Sequence, residues 1–253
     1  MTRSFETRIG LSVSGQRLLA VEVRRNHRRV LTDVGCAQPD DLSGALEEAM
    51  STISKLARTR RVWVALYPPY VLAREITIPK RLSTRMAREL VEKSVDSLFI
   101  SVTAGGMASG MCRLGGGKTG RRFGVGVSPA RFVEEVRGAA VRAGLCVEQV
   151  VPAHEAVLRW VLASDTVGDR ESATLVFGGV EQTFLLGVAA SRLVGVRHCG
   201  SPDSYSAAGE VWRRVTELGC GSIVHLFGAA ANLEAQLVEY GATAVSHAED
   251  PVT

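Results

Sequence analysis

Two stretches of this chain, residues 8–66 and 173–246, repeat one order of elements, and that repetition limits the fold more than any single motif does. In the first stretch, RIGLSVS and QRLLAVEVRR read as two strands rich in branched side chains, joined tightly at Gly15. RRVLTDVGCAQ supplies a third after the Asn26-His27 turn. From Asp40 the apolar positions Leu42, Leu46, Met50, Ile53 and Ala57 recur at helical spacing, which predicts a helix ending before the run Arg58 to Arg61. RVWVALY follows as a strand so continuously apolar that both of its faces are expected to be covered. In the second stretch, ATLVFGG, TFLLGVA and RLVGVRH form a meander, and the next helix carries Ala208, Val211, Trp212, Val215 and Leu218 on its apolar side. SIVHLF is a strand entering a helix at Gly228, and ATAVS is a last short strand. A meander, a helix and a strand, twice over and without obvious residue identity, is a duplication of architecture.

The residues between these stretches have another character. VLAREITIP reads as a strand leading through Pro79 into a helix with Ser83 as N-cap and Met86, Leu90, Val91, Val95 and Leu98 as its stripe. Two strands follow, MASGMCRL and RRFGVGV, separated by the turn GGGKTG. A helix then starts at Ser128-Pro129, with Phe132, Val136, Ala140 and Ala143 on its apolar face; it stops at Gly144, and LCVEQVV returns as a strand. Strand, helix, strand, strand, helix, strand is the split-βαβ (ferredoxin-like) order. A helix at PAHEAVLRWVLA and a polar loop, TVGDRES, lead into the second copy. The boundaries this implies are 1–68 for a first lobe, 69–151 for an inserted lobe and 152–253 for a second lobe.

Composition excludes several classes. With 253 residues, 46% of them hydrophobic, the chain can bury a core divided among two or three lobes. The net charge is only +4, and the clusters Arg24, Arg25, Arg28, Arg29, then Arg58, Arg60, Arg61, then Arg121, Arg122 have no interleaved aromatics, so they read as solvated faces and turns, with no nucleic-acid groove. Attraction to acidic headgroups at a bilayer needs no fixed geometry and stays open. The five cysteines show no C-x-x-C spacing, and the five histidines show no metal-ligand pairing, which fits a reducing compartment and no metal site. MTRSFETRIG is not a signal peptide, and no apolar run is long enough to span a bilayer.

Candidate motifs for catalysis are weak. Gly117-Lys118-Thr119 looks like the end of a phosphate loop, but Cys112 stands where such a loop needs its first glycine, and a strand rather than a helix follows; a hairpin turn accounts for it. Nothing in the sequence sets a serine or cysteine beside His154, His198 or His225. Trp63, Trp160 and Trp212 fall within apolar patterns and read as core, while Glu47, Glu48, Glu134 and Glu135 lie on polar helix faces.

A family resemblance runs across nearly the whole chain. Residues 10–23, GLSVSGQRLLAVEV, resemble the first phosphate segment of PilM, the actin-like protein of type IV pilus assembly. LAREITIPKRLSTRMARELVEKSVDSLFI is similar to the PilM strand and helix that follow, and GVGVSPARFVEEVRGAAVRAGLCVEQVVPAHEAVLRWV matches segment by segment. ATLVFGGVEQTFLLGV falls where the second phosphate segment belongs, and IVHLFGAAANL where the adenosine segment belongs. The resemblance implies an α/β fold of two duplicated actin-like (RNase H-like) lobes carrying the inserted lobe. The short stretch between RLVGVRH and SIVHLF, where PilM has a further lobe, is similar to the cytoplasmic domain of GspL, the type II secretion counterpart. GspL continues into a membrane helix, whereas this sequence ends at Pro251-Val252-Thr253.

Two departures set the functional expectation. In nucleotide-using members an aspartate in each phosphate segment helps hold hydrated Mg²⁺, and here Ser12 and Phe177 stand at those positions. Ala229 replaces the second glycine of the adenosine segment. The resemblance therefore implies a non-enzymatic cytoplasmic scaffold, peripheral at the inner membrane, of a type IV pilus or type II secretion platform. It needs no cofactor. Its implied partners are the cytoplasmic tail of a PilN-like membrane protein and the assembly ATPase, a homodimer being left open, with Arg74, Ile76, Ile78, Met86 and Leu90 as the first candidates for contact. The rival is a working ATPase that holds Mg-ATP through Ser14, Gly15, Gln16, Gly179 and Gly228, with Glu181 or Glu22 in place of the aspartates. A sugar kinase on the same fold would also need a catalytic base and a larger second lobe.

Overall fold

Three sheets organise the described residues. The computed structural model describes residues 7–14, 17–24, 27–35, 41–67, 70–98, 106–116, 120–156, 171–178, 183–190 and 192–246, with backbone alone at 95–98 and 112–116. The first sheet contains β1 (Arg8–Val13), β2 (Arg17–Arg24), β3 (His27–Gly35), β4 (Arg61–Leu66) and, further along the chain, β8 (Cys146–Pro152), in the order β3-β2-β1-β4-β8. Strands β1, β2 and β3 pair antiparallel, and β1, β4 and β8 pair parallel. The second sheet contains β9 (Ser172–Gly178), β10 (Thr183–Ala189), β11 (Arg192–Cys199), β12 (Ile223–Gly228) and β13 (Thr243–Ser246), in the order β11-β10-β9-β12-β13. Its pairings repeat those of the first: antiparallel from β11 to β9, parallel from β9 to β13. The expected duplication is thus present, and each copy gains a fifth strand beyond the shared plan read from sequence.

The helices cover these sheets as their spacing requires. On α1 (Leu42–Leu56) the buried face is Leu42, Ala45, Leu46, Ala49, Met50 and Ile53, and on α3 (Ala130–Arg142) it is Phe132, Val133, Val136, Ala139 and Ala140. Both faces join the core formed by Ile9, Leu11 and Val13 of β1 and Val62, Val64 and Leu66 of β4. In the second copy, Val211, Val215 and Leu218 of α4 (Ala207–Leu218) pack with Val176, Leu185, Val224 and Leu226. That helix stops at Gly219, whose φ of 66° suits glycine and lets its N–H bond to the carbonyls of Val215 and Thr216. After β12 the chain makes a 3-10 turn, Ala229–Leu233, and a short helix α5 (Glu234–Glu239).

A third sheet holds the inserted strands β5 (Leu72–Ile78), β6 (Met107–Gly116) and β7 (Arg121–Pro129) in the order β5-β7-β6, with helix α2 (Thr84–Leu98) between β5 and β6 in the chain. The helix and strand at the end of residues 69–151 lie elsewhere: α3 and β8 belong to the first sheet and its core, because β8 finds the open edge of β4. The described residues fall into two compact units, one of Met1–Leu72, Val95–Ser109 and Val127–Ala153, the other of Ala73–Ser94, Gly110–Gly126 and His154–Thr253.

Two expectations about burial change. RVWVAL alternates strictly, with Val62, Val64 and Leu66 in the core and Trp63 and Ala65 half-buried on the other face, so β4 is fully covered on one side and only partly on the other. Strands β9 and β10 are the ones buried on both faces. On α2 the inward positions are Ala87 and Val91, while Met86 and Leu90, expected in the stripe, are 51% and 47% exposed. Residues 157–163 of the expected helix at PAHEAVLRWVLA, Trp160 among them, and Gly117-Lys118-Thr119 lie outside the described residues.

Candidate functional site

The first strand end is closed by its own hairpin. Ser14 follows β1, and both its N–H and its hydroxyl donate to the carbonyl of Arg17, each at 3.0 Å, so its side chain is engaged in turning the chain into β2. Gly15 and Gln16 lie outside the described residues. Ser12 is half-buried and paired with Leu19, whereas Glu22 is paired with Ile9. Three residues of strand separate the two pairs, roughly 10 Å. Glu22 is also 5% exposed, and its carboxylate accepts the Arg58 backbone N–H at 2.8 Å. It fixes the exit of α1 and does not reach the end of the strand where Ser12 stands.

The second strand end is filled by rings. In register across the sheet lie Phe227 on β12, Phe177 on β9, Phe184 on β10 and His198 on β11. Phe177 stacks on Phe184 with centroids 4.8 Å apart and on Phe227 with centroids 4.6 Å apart, and it is 2% exposed. The next residue, Gly178, faces backbone: a Cβ there would sit 2.2 Å from the Ala230 nitrogen and 2.8 Å from the Ala229 carbonyl carbon. Opposite it in register is Gly228, at φ 60° and ψ −140°, a conformation that only glycine adopts freely. Close packing of two backbones and a glycine-only turn account for both glycines. Gly179 and Glu181 lie outside the described residues.

Burial holds two histidines of this unit, His154 and His198, toward the neutral form. His154 is 4% exposed, and burial first, then the nearby His198, pull its pKa down to about 4; burial lowers His198 too. Among the described residues no three His, Cys, Asp or Glu side chains come together in a way that would hold a metal ion.

No protein-family model and no curated protein sequence matches the chain. Solved structures do. The PilM-PilN type IV pilus biogenesis complex matches with a TM-score of 0.74 at 18% identity, over 95% of this chain and 88% of that one. A Bacteroides thetaiotaomicron protein with an actin-like ATPase fold and unknown function matches with a TM-score of 0.61 at 10% identity, over 97% and 92%. The fold is actin-like. The cytoplasmic domain of EpsL, an inner membrane component of the type II secretion system of Vibrio cholerae, is similar over 98% of both chains at 11% identity, with a TM-score of 0.50.

An actin-like fold raises the question of Mg-nucleotide, and the residues at the described strand ends do not fit it. A hydrated magnesium ion requires oxygen ligands with negative charge. Phe177 offers a ring held between two others, Ser12 offers at most a neutral hydroxyl, and Glu22 is committed elsewhere. The turn at Ala229 packs against Gly178.

The candidates for partner contact divide. Arg74, Met86 and Leu90 are exposed and Ile76 is half-buried, while Ile78 is 3% exposed and belongs to the core. Sequence reading missed the residue between them. Glu75 points from β5 to the guanidinium of Arg122 on β7 and, at 3.2 Å, to that of Arg197 on β11; Arg197 in turn lies 3.6 Å from Glu217 on α4. Alternation along LAREITI would have placed Glu75 on the face opposite Arg74 and Ile76, but only the fold reveals its two arginines.

Proposed function

We propose that this chain is a scaffold or adaptor of an inner-membrane assembly platform, of the type IV pilus or type II secretion kind, working by binding proteins and without ATPase activity. The observation that carries this reading is Phe177, the middle ring of a three-ring stack at the strand end where nucleotide-using relatives place a magnesium-binding aspartate. The likeness to PilM in complex with PilN supports a PilN-like cytoplasmic tail as partner. The likeness to the EpsL cytoplasmic domain supports a place on the cytoplasmic face of the inner membrane. An assembly ATPase is the second partner. Among the described residues no helix is long and apolar enough to cross a membrane. The exposed side chains Arg74, Met86 and Leu90, with the half-buried Ile76, are the proposed contacts.

The test is a Mg-ATP titration followed by unfolding. A ligand at a hundred times its Kd stabilises its protein by about 2.7 kcal/mol, which is readily seen as a rise in midpoint. A flat response, with no phosphate release, is expected. A midpoint that rises with Mg-ATP concentration sinks the reading in favour of an ATPase. In the positive arm, a peptide from the cytoplasmic tail of a PilN-like protein should bind, and the double variant M86S/L90S should weaken it by at least tenfold, since a side chain centred in such a contact is worth about 1–2 kcal/mol.

A further inference from the structure

Two of the basic clusters that look scattered in the sequence, Arg24, Arg28 and Arg29 and then Arg58, Arg60 and Arg61, meet at one end of the first sheet. Strands β1, β4 and β8 run parallel and begin there, at Arg8, Arg61 and Cys146; β2 runs the other way and ends there at Arg24, and β3 starts there at His27. Helix α1 also finishes at this end, since the Arg58 N–H bonds to Glu22 and the Arg60 carbonyl accepts the N–H of Cys146. Helix α3 ends at Arg142, only four residues before β8. All of these residues belong to one compact unit.

Charge at this end is one-sided. Arg8, Arg24, Arg29, Arg58 and Arg60 are all exposed. Arg60 donates only to the uncharged carbonyl and hydroxyl of Ser54, so its charge is not cancelled. Three acids touch groups at this end among the described residues: Glu22, which is buried, Glu148, which is occupied by Arg61 at 3.2 Å and by the Trp63 indole N–H at 2.7 Å, and Glu47, which is occupied by Arg142 at 2.8 Å. A small hollow opens between Arg8 and Arg61 beside Trp63.

Exposed apolar side chains gather at the same end. Val23, next to the β2–β3 hairpin, is 40% exposed; Leu56, the last residue of α1, is 43% exposed; and Val141, near the end of α3, is 72% exposed. Each stands within two residues of an arginine or lysine in the sequence. Cations interspersed with protruding aliphatic groups match the two halves of a bilayer interface, anionic headgroups above and acyl chains just beneath. Nucleic acid would call for exposed rings on which bases stack, and Trp63 at this end is half-buried and held by Glu148.

We propose that this end of the first unit lies directly against an anionic lipid surface. The proposal is independent of the scaffold reading, because it requires neither a protein partner nor any statement about nucleotide. The experiment is sedimentation of the full chain with vesicles of phosphatidylcholine, with and without phosphatidylglycerol, over a series of salt concentrations. Binding to the anionic vesicles alone, weakening as salt rises, is expected. The variant R24A/R29A/R58A should lose roughly a hundredfold in partitioning, at about fivefold per cation. The charge-matched variant K80A/R81A/R131A, which removes two cations of the other unit and one at the opposite end of α3, should bind as the parent does; L56S/V141S should lose the salt-resistant part of the binding. Matching unfolding midpoints for all variants exclude misfolding as the cause. No partitioning to anionic vesicles at low salt, equal losses in the two triple variants, or tighter binding to an oligonucleotide at the same salt would each overturn the proposal.

Discussion

The rings of Phe177 and Phe227 stack 4.6 Å apart and 6° from parallel, across two hydrogen-bonded parallel strands. Phe184 closes the other side of Phe177 at 4.8 Å, so the side chain at this strand end is part of the core. Placing at position 177 the aspartate that the resemblance implies for nucleotide-using members should therefore damage the fold before it could create a metal site. Truncating a buried ring costs about 3–5 kcal/mol, and a carboxylate between two aromatic faces adds desolvation to that. Phe177→Asp is expected to lower stability by at least this amount in urea denaturation and to leave the response to Mg-ATP flat. A variant of parent-like stability would show that the stack contributes little to folding.

Gly178 and Gly228 give a second test, because phosphate contact and packing predict different losses. A Cβ at position 178 would lie 2.2 Å from the Ala230 nitrogen, and backbone cannot swing aside as a side chain can. Gly178→Ala should destabilise by about 1–3 kcal/mol or more, the usual range for overpacking. Gly228→Ala meets strain at φ 60° and ψ −140° and should lose about 1–3 kcal/mol. Both losses are expected with no nucleotide present, as read from chemical denaturation. Stability unchanged in either variant would mean that packing and strain do not account for that glycine.

Much of the scaffold was legible because periodicity is local. The stripes Leu42, Leu46, Met50, Ile53 and Val211, Val215, Leu218 name the buried faces of their helices correctly, and the two meanders are readable from strand length and turn residues. What was not legible depends on register between strands. Nothing in the sequence shows that positions 177, 184, 198 and 227 form one row, nor that Arg24, Arg29, Arg58 and Arg60 share one end of a sheet, since each pair is brought together only by pairing or by the direction of a strand. On α2, Ala87 and Val91 are the inward pair, and the small Ala87 draws less notice than Met86 and Leu90, which lie about 100° round the helix.

Acid should weaken the second unit through its histidines. His154 is neutral in the fold, with its pKa lowered from 6.5 to about 4, mainly by burial. Between those values the unfolded chain binds a proton that the folded chain does not, so stability is full above about pH 6.5 and declines as pH falls toward 4. At pH 5 the loss from His154 is about 2 kcal/mol, and His198, shifted in the same direction by its own burial, adds to it. Urea midpoints measured from pH 7.5 to pH 5 should fall accordingly, and His154→Leu should flatten the curve. An unchanged slope in that variant would assign the acid sensitivity to other groups.

Glu75 should prove a costly carboxylate to remove. It is 17% exposed and sits between Arg122 and Arg197, which themselves retain only 32% and 28% exposure. Burial pushes its pKa up, but hydrogen bonds and charge from Arg122, then Arg197, more than offset this, and the net value lies below the usual 4.5. Its contribution is therefore present above that unfolded value and is lost as pH falls through the lower folded one. Glu75→Gln leaves two half-buried guanidiniums short of a carboxylate, a loss of about 1–3 kcal/mol once partial exposure is allowed for. Glu75→Gln with Arg122→Met should cost less than the sum of the single changes, because the second removes a cation that the first has left unpaired. Additive losses in that cycle would mean that Glu75 and Arg122 stand side by side without holding β5 and β7 together.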